Sequence, residues 1–138
     1  MNIEIIKEDS TSLEELLKEA FNKDAEKINI KDCLNKNIRF LCAKKDNEVV
    51  GTIMITTKYN PVRGTKDFYL DYVCVKDSCR NSGVGTLMLQ ELDKIAKEEN
   101  VSKIILETSF PRVAAQHLYE KNNYIKKEAY IYNKVIGE

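Results

Sequence analysis

Charge of either sign is not in excess in this 138-residue chain: 22 Lys and Arg face 22 Asp and Glu. Without that excess the bulk attraction that draws proteins to nucleic acid or to anionic membranes is missing, so neither partner is expected. A local basic pocket for a phosphorylated ligand remains open. Histidine is almost absent, His117 being the only one, and Cys33, Cys42, Cys74 and Cys79 do not form two Cys-x-x-Cys pairs. No metal is therefore expected. No apolar run approaches the length of a membrane span, and Met1-Asn2-Ile3-Glu4-Ile5 lacks the basic-then-apolar order of a secretory signal. Reduced thiols in the cytoplasm are the simplest expectation. No Pro, Gly or Ser cluster splits the sequence and no repeat or low-complexity tract interrupts it, so one domain over residues 1–138 is expected, long enough to bury a core unaided.

What is present is an alternation of strand and helix patterns. Asn2 to Ile6 alternate as a first strand. Thr11 and Ser12 each have Glu three residues on, the capping-box pattern, and Leu13, Leu16, Leu17, Ala20 and Phe21 follow at helical spacing. A second, less periodic helix is expected from about Asp24 to Asn35. Ile38 to Lys44, the polar turn Lys45-Asp46-Asn47-Glu48, and Val49 to Lys58 read as a β-hairpin. Phe68 to Val75 is apolar on both faces except at Asp71, as in a central strand covered on two sides. Gly83 to Glu99 carries Val84, Leu87, Met88, Leu92, Ile95 and Ala96 on one helical stripe. Lys103 to Thr108 is a short strand, Pro111 opens a helix to about Lys121, and Asn122-Asn123 suit its left-handed end. Tyr124 to Lys127 and Tyr130 to Val135 are expected as closing strands, the latter an edge able to pair with another subunit. Monomer and homodimer both stay open. The pattern is that of a mixed α/β sheet.

The most informative segment is the passage from strand to helix between Val73 and Leu87. Gly83 and Gly85 let the backbone approach a bulky ligand, and the helix that follows presents unsatisfied N–H groups and a partial positive charge. That combination suits a pyrophosphate, and Arg80 adds a charged contact. On the glycines alone, a plain turn into a well-packed helix explains the segment equally well. The dinucleotide fingerprint needs a third glycine where Met88 stands, and a phosphate-loop NTPase needs Gly-Lys-Ser/Thr where this chain has Gly85-Thr86.

The run YLDYVCVKDSCRNSGVGTLMLQELDKIAKE resembles the acetyl-CoA-binding motif of the GNAT superfamily of N-acetyltransferases, Gln/Arg-x-x-Gly-x-Gly/Ala, with Arg80, Gly83 and Gly85 on the motif positions. SKIILETSFPRVAAQHLYEKNNYIKK is similar to the family's closing motif. The resemblance runs from about Arg39 to Lys134 and is weak over the first 35 residues. It implies a single-domain GNAT-like fold, a mixed central sheet flanked by helices with two strands splayed to admit the coenzyme. It also implies that the main chain at Val73, Cys74 and Val75 binds pantetheine and that Arg80, Asn81, Ser82, Gly83, Val84, Gly85 and Thr86 hold the pyrophosphate.

The implied chemistry is direct attack of a neutral primary amine on the thioester of acetyl-CoA. Tyr119 stands at the family's general-acid position, a phenol protonated at neutral pH; the competing role is core packing beside Ala115 and Leu118. Asp71 stands where relatives place an acidic residue near the acceptor. It is a base, an amine-orienting carboxylate, or a surface residue paired with a lysine, and Glu107 or bound water is its rival. His117 is expected on a solvated helix face, Cys74 under the sheet, and Cys79 beside the loop. Two residues depart from the family pattern. Arg112 replaces the usual Asn at the start of the last helix and would meet phosphate or substrate instead, and Asn123-Tyr124 replaces Gly-aromatic at a left-handed cap that Asn tolerates. A non-catalytic acyl-CoA-binding sensor or regulatory module is the alternative, and the acceptor amine itself, whether on a small molecule or exposed on a protein, has no signature.

Overall fold

Two β-rich segments joined by a turn built for close return seed the sheet. The computed structural model describes residues 1–34, 37–108 and 111–137. In it β2 (Ile38–Lys45) and β3 (Glu48–Asn60) form an antiparallel hairpin. Asp46 and Asn47 both take positive φ (52° and 65°), the two-residue geometry whose twist matches the flanking strands. β1 (Asn2–Ile5) adds antiparallel to β2, β4 (Thr65–Val75) adds antiparallel to β3, and β5 (Lys103–Leu106) lies parallel to β4. The sheet order is therefore β1-β2-β3-β4-β5.

Alternation along these strands feeds two cores. Leu41, Ile53, Ile55, Phe68 and Leu70 pack on one face against Val84, Met88, Leu89 and Leu92 of α2 (Val84–Glu98) and against Tyr119 of α3 (Val113–Lys121). Phe40, Cys42, Val49 and Cys74 pack on the other against Leu13, Leu16 and Leu17 of α1 (Thr11–Phe21). A Cβ at Gly51 would sit 3.0 Å from the Met88 Cε and 3.1 Å from a Val84 methyl, which is how closely α2 rides on β3. The expected α2 stripe is right except at Leu87, which is exposed while Leu89 is buried. Among the described residues no helix is long and apolar enough to cross a membrane.

Several expectations need correction. The α1 cap is Ser10, whose Oγ accepts the Leu13 N–H at 3.2 Å, not Thr11 or Ser12. The Ser12 hydroxyl instead accepts the Val49 N–H at 2.8 Å, tying α1 to the hairpin. The helix expected over Asp24 to Asn35 is a single 3-10 turn at Lys31–Cys33, Asn35 itself lying outside the described residues. There the Asn29 side chain accepts the Asp32 N–H and donates to its carboxylate, a local alternative to helical bonding, and among the segment's described residues only Ile30 is buried. The closing strands over Tyr124 to Lys127 and Tyr130 to Val135 are absent: the Tyr124 N–H bonds back to the Tyr119 carbonyl at 3.0 Å, and residues 125–137 join no ladder. β-Propensity supplies side chains that fit a pleat, not the partner edge a strand requires.

Arg39 in β2 clamps the residue after α2. Its two Nη atoms donate to the two Glu99 carboxylate oxygens at 2.7 and 2.9 Å, and its guanidinium lies 5.3 Å from the Phe68 ring centre. The Arg39 hydrogen bonds hold the Glu99 carboxyl below its ordinary range, against the opposing effect of partial burial. A depressed carboxylate stabilises the fold above its unfolded pKa and loses that contribution as pH falls through the folded one. Glu99→Gln is expected to cost about 1 kcal/mol near neutral pH. Urea unfolding at successively lower pH should show the difference from wild type shrinking as Glu99 takes up a proton; a difference that does not diminish would mean that packing, not charge, makes the contact.

Candidate active site

β4 and β5 pair only from Asp67↔Lys103 to Leu70↔Leu106, and past Leu70 the two strands part. The cause lies in β4 itself. Against β3, Met54 faces Asp71 and Thr52 faces Cys74, so β4 spends one residue more than its partner across this stretch. The extra residue is accommodated at Tyr72, which takes φ 50°, an uncommon left-handed conformation for an aromatic residue. Such positions cost on the order of 1–3 kcal/mol and persist where surrounding packing enforces them. The bulge turns the Tyr72 ring outward, edge-on to Phe21 at the end of α1, with centroids 5.1 Å apart. The expectation that Phe68 to Val75 is covered on both sides thus fails beyond Leu70: Asp71 and Tyr72 are exposed.

The parting strands open a cleft of about 70 Å³. Leu70, Asp71, Tyr72 and Val73 form one wall, Leu106, Glu107 and Thr108 the other, and Phe21, Arg112 and Tyr119 close it. Tyr119, Asp71, Val73, Glu107 and Arg112 are therefore brought together; Cys74, Val75 and residues 80–86 do not line this cleft. Tyr119 is 8 % exposed. Burial raises its phenol above the ordinary value, and the nearby Arg112 charge pulls it partly back. The Tyr124 ring stands 5.8 Å away, and its buried hydroxyl has no hydrogen-bond partner among the described residues. His117 is exposed on α3, as expected.

The phosphate-loop candidate continues from the same strand. After β4 a 3-10 turn at Asp77–Cys79 leads into Arg80, whose Nη2 pairs with the Asp77 carboxylate at 3.1 Å and whose Nε donates to the Val75 carbonyl at 3.4 Å. Asn81 (φ 60°) and Gly83 (φ 85°) both take left-handed backbone, and the Ser82 hydroxyl donates to the Cys79 carbonyl. Gly83 caps α2 without a side-chain bond, and the helical ladder begins with the Leu87 N–H to the Gly83 carbonyl at 3.0 Å. The N–H groups of Val84, Gly85 and Thr86 consequently have no helical acceptor, the arrangement that receives an anion. The two glycines have different reasons. Gly83 is required by its φ, with nothing within 4 Å of an added Cβ. Gly85 allows close packing, since a Cβ there would stand 2.9 Å from the Leu118 Cδ2 of α3 and the leucine side chain would have to shift.

Cys74 is buried under the opposite face from Val73 and Val75, and burial pushes its thiol up to about 12. A thiol held there supplies no nucleophilic thiolate at neutral pH. Among the described residues no group of three or more His, Cys, Asp or Glu side chains is placed to hold a metal ion. Phe21 and Tyr72 are lining residues that sequence reasoning missed. Phe21 sat on the helical stripe and read as core; Tyr72 is an ordinary strand former, and its bulge becomes visible only when β3 and β4 are counted against each other.

The profile of the acetyltransferase (GNAT) family matches residues 4–124, which takes in most of the first 35 residues, where the motif resemblance is weak. Streptothricin acetyltransferase A of Bacillus subtilis (strain 168) is 30% identical over 80 residues, 58% of this chain and 43% of that protein. N-acetyltransferase 8F1 of Rattus norvegicus is 27% identical over 89 residues, 64% of this chain and 40% of that protein. The match thus spans less than half the length of either relative. Among solved structures, a ribosomal-protein-alanine N-acetyltransferase from Brucella melitensis biovar Abortus 2308 superposes with a TM-score of 0.82 at 18% identity, over 98% of this chain and 100% of that one. An aminoglycoside acetyltransferase from an uncultured soil metagenomic sample, in complex with sisomicin, gives 0.85 at 14% identity over 97% and 95%. At such identities the likeness is one of fold.

Proposed function

The chain belongs to the acetyltransferase (GNAT) family, and from that premise we propose that it transfers an acetyl group from acetyl-CoA to a primary amine, on a small molecule or exposed on a protein, by direct attack. The observation that carries the reading is the cleft where β4 parts from β5. A protonated phenol and a solvated carboxylate line it together, and the same strand runs on to an uncapped helix N-terminus. Acetyl-CoA supplies the activated thioester. The backbone of Val73, Cys74 and Val75, past the end of the β5 pairing, would hold pantetheine, and Arg80 through Thr86 the pyrophosphate. The Arg80–Asp77 pair is exposed, so Arg80 can exchange its carboxylate for phosphate at little cost.

Tyr119 keeps a proton on its Oη for the departing thiolate, since burial favours the neutral phenol. Asp71 draws a cationic amine to the cleft mouth and accepts its proton, directly or through water. Among the described residues Arg112 is the one cation lining the cleft, and it orients an anionic group of either substrate. We place the reaction in the cytoplasm, in keeping with four free thiols at Cys33, Cys42, Cys74 and Cys79. Relatives named for streptothricin, for aminoglycosides and for a ribosomal protein's alanine leave both amine classes within the proposal.

Release of free CoA in the presence of an amine panel tests the activity. Acetyl-CoA binding without turnover on any amine would favour a sensing module over an enzyme. Asp71→Asn, which keeps size and removes charge, is expected to bind acetyl-CoA as wild type and to lose activity toward amines. Loss of the acidic limb of the pH–rate profile would mark a base, whereas a raised acceptor KM alone would mark orientation. Wild-type kinetics in the mutant would pass the role to Glu107 or bound water.

A further inference from the structure

Side chains of both charge signs line the cleft without meeting one another. Asp71 and Glu107 stand on opposite walls and Arg112 closes it, yet among the described residues none of the three makes an ion pair or a side-chain hydrogen bond. Where an arginine and a carboxylate of this protein come within reach they do pair, as Arg39 with Glu99 and Arg80 with Asp77. Opposite charges that share a cleft and stay apart are a template for a ligand carrying both signs. The coenzyme does not supply the anion that Arg112 lacks. Acetyl-CoA carries its charge on phosphates, and the loop assigned to the pyrophosphate, residues 80–86, does not line the cleft; the pantetheine arm and the thioester are neutral. Arg112 stands instead at the reacting end, where its charge reaches the Tyr119 phenol. It is also the N-cap residue of α3 and makes no capping side-chain bond, so the positive end of that helix adds to the guanidinium. Beside Asp71, the Phe21 and Tyr72 rings are 38 and 52 % exposed and give the cleft an apolar flank.

Resting on the acetyl transfer proposed above, we propose that the acceptor is a free amino acid with an apolar side chain: Arg112 takes its carboxylate, Asp71 faces its amino group, and Phe21 and Tyr72 cover its side chain. A guanidinium and a carboxylate meet through two parallel N–H···O bonds, which fix the direction of the amine as well as its presence. The ammonium group first gives up one proton to solvent, through Asp71 or water. Its neutral nitrogen then attacks the thioester carbonyl, and the C–S bond breaks. The sulfur takes the Tyr119 proton, and the second proton of the nitrogen returns to the phenol through water. The products are an N-acetyl amino acid, free CoA and one proton. Other amines fit the same cleft less well. A protein N-terminus or a lysine side chain within a protein brings no free carboxylate, so Arg112 stays unmatched. An amine with a second ammonium group sets like charge beside the guanidinium in a cleft of about 70 Å³.

The test compares L-leucine and L-phenylalanine with leucinamide and phenylalaninamide, by release of free CoA from acetyl-CoA at neutral pH. The full chain is expected to favour each amino acid over its amide by at least about tenfold in kcat/KM. Intrinsic reactivity runs the other way, because the less basic amine of the amide is more fully neutral. Arg112→Gln should bring that ratio to about one or below, and Arg112→Lys, which keeps the charge but loses the fork, should retain part of it. Arg112 is exposed, so thermal unfolding of the free variants reports that they still fold. Amides used as well as the amino acids by wild type, or a ratio that Arg112→Gln leaves unchanged, overturns the proposal while acetyl transfer stands. A second measurement does not depend on turnover. With CoA saturating, leucine should raise the Tm of wild type and not that of Arg112→Gln. If no amine releases CoA, acetyl transfer falls, and an Arg112-dependent rise in Tm with leucine still upholds recognition of the amino acid; no rise overturns that as well.

Discussion

Tyr119→Phe is expected to lower turnover by roughly 10²–10⁴-fold, the usual contribution of a positioned general acid, and to leave acetyl-CoA affinity almost unchanged. The substitution is a clean one here. The ring is buried between the sheet and Tyr124, and phenylalanine preserves that packing while deleting the phenol proton that Tyr119 offers to the cleft. Because burial raises the phenol above its ordinary value of about 10, the basic limb due to Tyr119 should lie above about pH 10 in wild type and vanish in the mutant. Single-turnover acetyl transfer with saturating amine separates the chemical step from product release. Unchanged single-turnover rates would return Tyr119 to the core-packing role.

The second large effect is expected at Gly83. Acetyl-CoA at a hundred times its Kd should add about 2.7 kcal/mol to the stability of the folded protein, read as a rise in Tm. Gly83→Val should abolish most of that rise. The residue sits at φ 85°, so any side chain strains the start of α2, the turn whose free N–H groups would meet the pyrophosphate. Loss of stability alone would not establish a binding role, and Gly64→Val is the control. Gly64 also takes left-handed φ (66°) with nothing within 4 Å of an added Cβ, but in the β3–β4 loop. It should lower the Tm of the free protein while keeping the acetyl-CoA increment. Equal increments in wild type and Gly83→Val would remove the pyrophosphate assignment.

Local chemistry was legible in the sequence wherever a single segment contains its own cause. The polar turn Lys45-Asp46-Asn47-Glu48 specifies a hairpin, the apolar stripe from Val84 specifies α2, and Asn123 takes the left-handed conformation (φ 71°) expected at the end of α3. The spacing Arg80, Gly83, Gly85 marked the loop that the structure places at an uncapped helix N-terminus. What depends on two segments at once was not legible. Phe21 and Tyr72 become neighbours only because a bulge in β4 counts one residue against β3 and turns a strand tyrosine toward the end of α1. Gly85 packs closely against Leu118, 33 residues away in the chain. Most telling, Tyr130 to Val135 has every local property of a strand and is not one in its own chain. A helix completes its hydrogen bonds within a single stretch of residues, so its sequence can determine it; a strand borrows half of its bonds from a neighbour, and only the tertiary arrangement decides whether that neighbour is present.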